Sequence, residues 1–430
     1  MSYLMNNRKA LGLVLGIMMA VITLATTAAA VVMDLVKDPQ PDETLQAPSS
    51  SEMEEVPSQP EPEQVPEQLP VVQPETQPEP EVIVFNTPDE MRGVWLVPGN
   101  DFLSSLSDSS TTIKKEIDEA ISSAKKMMLN TIIIDSVWGD FVIYKTGSAA
   151  SLTTDFDVME YIIQKARENE MFVYSTFDVL KIRQGNGNAM SDKVDAAVLT
   201  EVYDNAKAFA STYDLDGVLL DNYYLTASAT GNLYTSYLSA GGGMGFENYM
   251  YDSTESAMAA AVLGMHDGDR SVQVGLLSDS VWANSETNEA GSETSADFEA
   301  LTDGYADTKA YIENGYYDFV AVKAFSSRKN TDVPFDTVVK WWAKITKAKE
   351  IPLYVMQASS KSVSTETGWT SPSELTEQVM EARKVDGYEG SMFDSLGRLK
   401  ADPQGSTTAL KKLFNEELDV EYFATKLEVN

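Results

Sequence analysis

From about residue 82 onward the chain alternates short apolar, β-rich runs with longer stretches whose apolar residues recur every three to four positions. The first pattern predicts strands at 92–97, 131–135, 172–176, 217–221, 272–277, 319–324, 353–356 and 389–393, each bounded by polar or glycine-containing turns. The second predicts helices between them. In 111–129 Ile113, Ile117, Ile121, Ala124 and Met128 form one stripe, and in 158–168 Ile162, Ile163 and Ala166 turn inward. Further helices are expected at 192–212, 253–264, 307–314, 335–349, 373–383 and 407–415, with Pro334 and Pro372 just ahead of two of them. Eight strand–helix repeats in one domain of this size favour a parallel sheet closed on itself, a (β/α)8 TIM barrel spanning 82–425.

Two long connections stand out, 226–248 after the fourth strand and 278–298 after the fifth. Both follow strand C-termini, the face on which such barrels build their sites, so both are expected to cover one.

The preceding residues are of another kind. Residues 11–33 are uncharged and mostly apolar, preceded by Arg8 and Lys9 and closed by Asp34. That length suits a transmembrane helix with a short cytoplasmic tail at 1–10. A cleaved signal peptide is the competing reading, because Ala28, Ala29 and Ala30 are small enough to precede a cleavage site. Either way the rest of the chain is expected outside the cytoplasm, as the extracellular domain of a single-pass membrane protein or, after cleavage, as a secreted one. Residues 34–81, rich in Pro, Glu and Gln, bury too little to offset their ordering entropy and read as a disordered stalk.

Composition narrows the chemistry. The 430 residues carry a formal charge of −34, which excludes a nucleic-acid partner and leaves the N-terminal helix as the contact with membrane. There is no cysteine, hence no disulfide, thiolate nucleophile or thiolate metal site. The one histidine, His266, falls in a Gly/Asp-rich stretch and is expected in a surface loop. No metal centre and no cofactor is expected: EF-hand spacing, a histidine cluster and a phosphate loop are all missing.

The fourth strand lies in D-L-D-G-V-L-L-D-N-Y-Y, residues 214–224, and delivers Asp221, Asn222, Tyr223 and Tyr224 to one mouth, a set suited to a polyhydroxylated ligand. Asp216, at the opposite strand end, is expected to fix the base, as is Arg92. Acids at other strand C-termini are Asp135, Asp178, Asp279 and Asp394, with Glu286 and Glu289 in the loop after the fifth strand. Were such a ligand a sugar to be cut at its glycosidic bond, two carboxyl groups would be needed, and Asp221 with Asp279 is the expected catalytic pair. Asn222, Tyr223, Trp282, Trp138, Asp135, Asp178 and Lys323 are the expected substrate contacts. Asp135 and Asp178 read equally well as turn caps, and Trp95 as barrel core. Tyr144, Tyr224 and Phe325 are further candidate platforms, whereas Trp341 and Trp342 sit in a helix and read as packing. Lys323 among these acids would hold one of them ionised, or select an acidic group on a sugar.

Five segments carry a resemblance: Met91-Arg92-Gly93-Val94-Trp95, Leu129-Asn130-Thr131, Asp214-Leu215-Asp216-Gly217 with Asp221-Asn222-Tyr223, Val281-Trp282-Ala283-Asn284, and Asn314-Gly315-Tyr316-Tyr317-Asp318. In that order the chain resembles the glycosyl hydrolase-like 10 (DUF187) family. The resemblance implies a TIM barrel, an envelope location, and hydrolysis or binding of an exopolysaccharide or cell-wall glycan. The chain departs from the family pattern in three places. Asn222 follows Asp221 where relatives tend to have a second acid, the sixth strand ends Val322-Lys323-Ala324-Phe325-Ser326 in place of P-Q-x-Y-W, and the third reads Tyr174-Ser175-Thr176 in place of H-A-W. A barrel that binds a glycan or an envelope protein without cutting it is therefore the alternative.

Overall fold

In the computed structural model, strand β1 (Met91–Leu96) pairs in parallel with β2 (Thr131–Ile134) on one side and β10 (Tyr388–Phe393) on the other. Between these run β5 (Phe172–Asp178), β6 (Gly217–Asp221), β7 (Gln273–Asp279), β8 (Phe319–Lys323) and β9 (Leu353–Gln357), closing a parallel eight-stranded barrel with no free edge. A two-stranded antiparallel hairpin, β3 (Val137–Trp138) with β4 (Phe141–Val142), rises from the loop after β2. The structure describes residues 85–415 apart from 140, 146–150, 153, 181–193, 226–229 and 241–242. The expected cytoplasmic tail, membrane segment and stalk lie outside these residues. Among the described residues no helix is long and apolar enough to cross a membrane.

The helices form where caps and stripes direct them. Ser109 accepts the Thr112 amide at 3.2 Å to start helix Ser110–Lys126, which buries Ile113, Ile117, Ala120, Ile121 and Ala124 and ends on Lys125 and Lys126, charges that complement the helix dipole. Asp157, Asp195 and Asp307 cap helices Val158–Glu168, Ala196–Thr212 and Thr308–Glu313 in the same way. Helices Phe335–Lys347, Glu374–Ala382 and Ser406–Leu413 complete the outer ring.

Two expectations need correction. The connection after β6 is not merely a loop: it contains helix Thr230–Ser239, and the following helix begins early, at Phe246–Gly268, because Phe246 and Met250 extend its apolar face. His266 consequently lies in the last turn of that helix and not in a loop, with Nε2 3.3 Å from Asp318 Oδ2.

The strand alternation sorts the core into two. One face of the sheet packs on the helices; the other fills the barrel with Met91, Trp95, Ile133, Tyr174, Leu219, Leu277, Phe319, Tyr354 and Met392. Large rings fit there only against glycine: a Cβ on Gly217 would stand 2.3 Å from Tyr174, and one on Gly275 2.2 Å from Phe319. Trp95 is thus interior filling.

At the base of β6, buried Asp216 accepts hydrogen bonds from Arg167 Nη1 (2.6 Å), the Val173 amide (2.7 Å) and Asn86 Nδ2 (3.0 Å). Arg92, also at the base, donates to the Phe414 carbonyl. At the seam between first and last strands, Asp101 accepts the Val97 amide at 2.8 Å while Asn100 reaches Ser395 at 3.1 Å.

Removing one partner from a buried charge cluster leaves the others desolvated and uncompensated. Asp216→Ala should therefore lower unfolding free energy by about 3 kcal/mol, measured by urea denaturation, with ligand binding at the far end of the barrel unchanged in the folded fraction. Burial raises the Asp101 carboxyl to about 6, against the opposing pull of the Val97 and Gly397 amides, Lys400 and Asn100. A carboxyl that binds its proton more tightly when folded contributes stability below its unfolded value near 3.8 and loses it as pH rises through about 6. Unfolding measured at pH 4 and pH 7 should show wild type losing about 2 kcal/mol more across that interval than Asp101→Asn.

Candidate functional site at the barrel mouth

Stepping two residues along each strand from the interior side chains leads to the mouth. From Leu219 the step reaches Asp221, from Leu277 Asp279, from Ala321 Lys323, and two steps from Tyr174 reach Asp178. The same count brings Asp135 and Asp394 to inward positions. In register, Asp178 stands beside Asp221 and Asp279 beside Lys323.

Lys323 joins the two expected catalytic acids. Its Nζ lies 3.3 Å from Asp221 Oδ1 and 3.9 Å from Asp279 Oδ1. Those two oxygens are accordingly no more than about 7 Å apart, within the span over which carboxyl pairs cleave glycosides. Burial alone would lower the lysine's pKa, but the charges of Asp221 and Asp279 outweigh it and hold the ammonium protonated well above its ordinary range.

The two acids are not equivalent. Asp221 also accepts the Asn222 amide at 2.8 Å. Asp279 is raised above its usual range, chiefly by burial and further by Asp221, with Lys323 opposing. About 34% of the Asp279 side chain still meets solvent, so it is desolvated yet reachable by a ligand. Asn222 takes a left-handed conformation, φ 52°, which turns its amide back to donate to Asp178.

Beside this triad a cleft of about 330 Å³ is lined by Asp279, Ser280, Asp297, Phe298, Lys323, Phe325 and Ser326. Its far wall is the loop after β7, held by a buried polar node. Asn284 donates to Glu299 at 2.6 Å and accepts from Thr294 and from the Ala296 amide, both at 2.8 Å.

The other expected contacts are taken up in packing, in their own turns or on the loop surface. Tyr223 is wholly buried, donating toward the Leu277 carbonyl at 3.0 Å and toward Tyr224 Oη at 3.1 Å. Trp282 is buried as well, stacked on Trp341 at 5.7 Å with its indole bonded to Asp307, so it packs the loop against a helix. Trp138 lies in the β3–β4 hairpin with its indole against Gly99. Tyr144 is buried with its edge on Phe209. Asp135 caps its own turn by accepting the Val137 amide at 3.2 Å, and Glu286 and Glu289 are exposed on the loop. The ring that does meet the triad is Tyr224, whose hydroxyl accepts the Asp279 amide at 3.1 Å. Asp297 and Phe298 on the cleft wall were not among the expected contacts, since their place depends on how the loop folds back.

The fold and mouth define a closed (β/α)8 barrel with an acid–lysine–acid triad at its C-terminal face. Glycosyl hydrolase YngK of Bacillus subtilis is 23% identical over 362 residues, 75% of this chain and 71% of its own. Glycosyl hydrolase DigH of Escherichia coli K12 is 21% identical over 341 residues, 66% of this chain and 76% of its own. The glycoside hydrolase domain of PgaB (BpsB) from Bordetella bronchiseptica superposes with a TM-score of 0.50 at 12% identity, covering 76% of this chain and 99% of that one. No family model matches the chain. The chain is thus distantly similar in sequence to two glycosyl hydrolases, and its fold is a TIM barrel.

Replacing Lys323 by Met strips both carboxylates of their counter-charge. The Asp279 pKa should then rise further, read from a carboxyl ¹³C titration, with unfolding free energy falling by about 3 kcal/mol.

Proposed function

We propose that the protein is an extracytoplasmic, membrane-anchored member of the glycosyl hydrolase-like 10 group that acts on O-glycosidic bonds of an exopolysaccharide or cell-wall glycan. The observation that carries the reading is the Asp221–Asp279 pair, within about 7 Å at the mouth, with Asp279 raised by burial. Asp279, raised by burial, is the general acid that protonates the leaving oxygen as the glycosidic bond breaks. Asp221, held by Lys323 and the Asn222 amide, either attacks the anomeric carbon or takes a proton from the attacking water. The separation leaves room for retention and for inversion.

Because both neighbouring carboxylates engage Lys323, its charge is spent on them, and a neutral or amino-bearing glycan suits this mouth better than a uronate or phosphate. The anchor rests on the apolar run at 11–33 with its basic flank. Lys323 touching both acids also favours a second reading, a barrel that binds glycan without cleaving it.

The full-length chain in detergent, incubated with wall glycan strands, chitin oligomers and capsular polysaccharides, should release products detectable by mass spectrometry. Asp221→Asn and Asp279→Asn should each lower turnover by about 10³-fold or more. Turnover should fall on the alkaline side as Asp279 ionises, and that limb should vanish in Asp279→Asn. Undiminished product release by Asp221→Asn would remove it from the chemistry, while tight binding without product from any glycan would select the second reading.

A further inference from the structure

Beneath the triad two adjacent tyrosines make a layered pair whose members face different surroundings. Tyr223 is the inner one, wholly buried, and Tyr224 the outer, partly exposed. The Tyr224 ring is clamped on three sides. Tyr223 lies 4.4 Å away at 49°, Phe298 meets it edge-on at 5.5 Å, and Gly304 approaches so closely that a Cβ there would stand 2.5 Å from Cδ1. The hydroxyl of Tyr224 accepts the Asp279 amide at 3.1 Å, and Phe298 and Asp279 are both walls of the cleft. The phenol is thus fixed beside the acid assigned to proton donation and within the electrostatic reach of Lys323.

Hydrogen counting gives the pair two states. Tyr223 has one proton and two acceptors in range, the Leu277 carbonyl at 3.0 Å and Tyr224 Oη at 3.1 Å. When Tyr223 gives its proton to Leu277, Tyr224 can turn its own inward to Tyr223. When Tyr223 gives to Tyr224, the Tyr224 oxygen accepts twice, from Tyr223 and from the Asp279 amide, and its proton points outward. The exchange rotates two hydroxyl hydrogens and transfers no proton.

We infer that Tyr224 is a substrate-binding residue of this mouth, donating its hydroxyl proton to a sugar oxygen held between Asp279 and Lys323, and that Tyr223 positions it from below. The inference rests on the glycan-active reading of the site and names the residue by which that site engages its ligand. Burial and the Asp279 charge raise the phenol to about 12, although the Asp279 amide, Tyr223 and Lys323 pull the other way. It therefore remains a neutral donor throughout the pH range in which the acids work.

The test uses the full-length chain with tetra-N-acetylchitotetraose and its fully N-deacetylated counterpart as probes, comparing Tyr224→Phe, Tyr223→Phe and Asp221→Asn. Loss of one neutral hydrogen bond to substrate should raise KM or Kd for Tyr224→Phe roughly five- to tenfold, with Tm within about 2 °C of wild type. Tyr223→Phe should lower Tm, from the lost buried bond, and raise KM by about threefold, less than Tyr224→Phe because the outer phenol loses its support but keeps its own donor. Asp221→Asn should lower kcat with little change in KM. A wild-type KM in Tyr224→Phe beside an inactive Asp221→Asn would overturn the inference alone, as would a fall in Tm of more than about 5 °C with kcat and KM shifting together. If wild type neither binds nor turns over either probe the inference is overturned, and the catalytic reading then stands or falls on the wider glycan panel.

Discussion

The mouth of this barrel depends on one lysine between two aspartates. Lys323, Asp221 and Asp279 come from three consecutive strands, β8, β6 and β7, and side-chain exposures of 22%, 20% and 34% place all three in partly desolvated surroundings. None of these charges is comfortable there alone. Burial works against the ammonium, yet the two carboxylates overcome that penalty and keep it charged. The strand ends carrying the triad are tied in addition by Ser280, which donates to the Lys323 carbonyl at 2.5 Å, and by Tyr224, which accepts the Asp279 amide. With one positive charge for two negative ones, one acid is served better. Asp221 has the closer ammonium and an amide, whereas Asp279, at the longer distance, stays raised. Burial therefore sets the raised Asp279 carboxyl, and the shared lysine offsets it only in part.

The barrel was legible in the sequence because its signals are local. Short apolar, β-rich runs bounded by polar or glycine turns named all eight barrel strands to within a few residues, and β6 at Gly217–Asp221 agrees at both ends because Gly217 and the polar Asp221 mark the limits of an apolar run. Helix Val158–Glu168 agrees likewise, bounded by the Asp157 cap. The assignment of Asp216 to the base and Asp221 to the mouth followed from strand direction alone. Less visible was which of two neighbouring tyrosines faces the ligand. Beyond the strand end the alternation lapses, since the left-handed turn at Asn222 rotates everything after it, sending Tyr223 inward and Tyr224 to the triad. Trp282 illustrates a second limit. A tryptophan in a post-strand loop reads as a platform until the loop's own packing, Trp341 beneath it and Asp307 at its nitrogen, is known.

The turn at Asn222 also gives physical meaning to an asparagine directly after Asp221. Asparagine tolerates positive φ better than most residues, and the conformation brings its Nδ2 onto Asp178. A carboxylate in the same rotamer would confront Asp178 with like charge, and one of the two acids would have to hold a proton. The amide removes that conflict, orients Asp178 and supplies its own backbone N–H to Asp221. The asparagine thus keeps a further acid out of the mouth while fixing the geometry of those present.

What Lys323 does to a ligand follows from what it already does to the protein. A lysine can recruit a uronate or phosphate when its charge is in excess of the surrounding acids. Here Asp221 and Asp279 hold it directly, Asp297 lines the same cleft, and the chain as a whole carries −34. Drawing the ammonium toward an anionic sugar would require breaking its contact with Asp221, leaving that carboxylate desolvated and uncompensated, a cost of several kcal/mol that one surface-like ion pair does not return. A sugar hydroxyl makes no such demand. It can accept from the lysine or from Tyr224 and donate to Asp279 without moving a charge. The electrostatics of the triad therefore select for ligands that offer hydroxyls or amines in preference to acids.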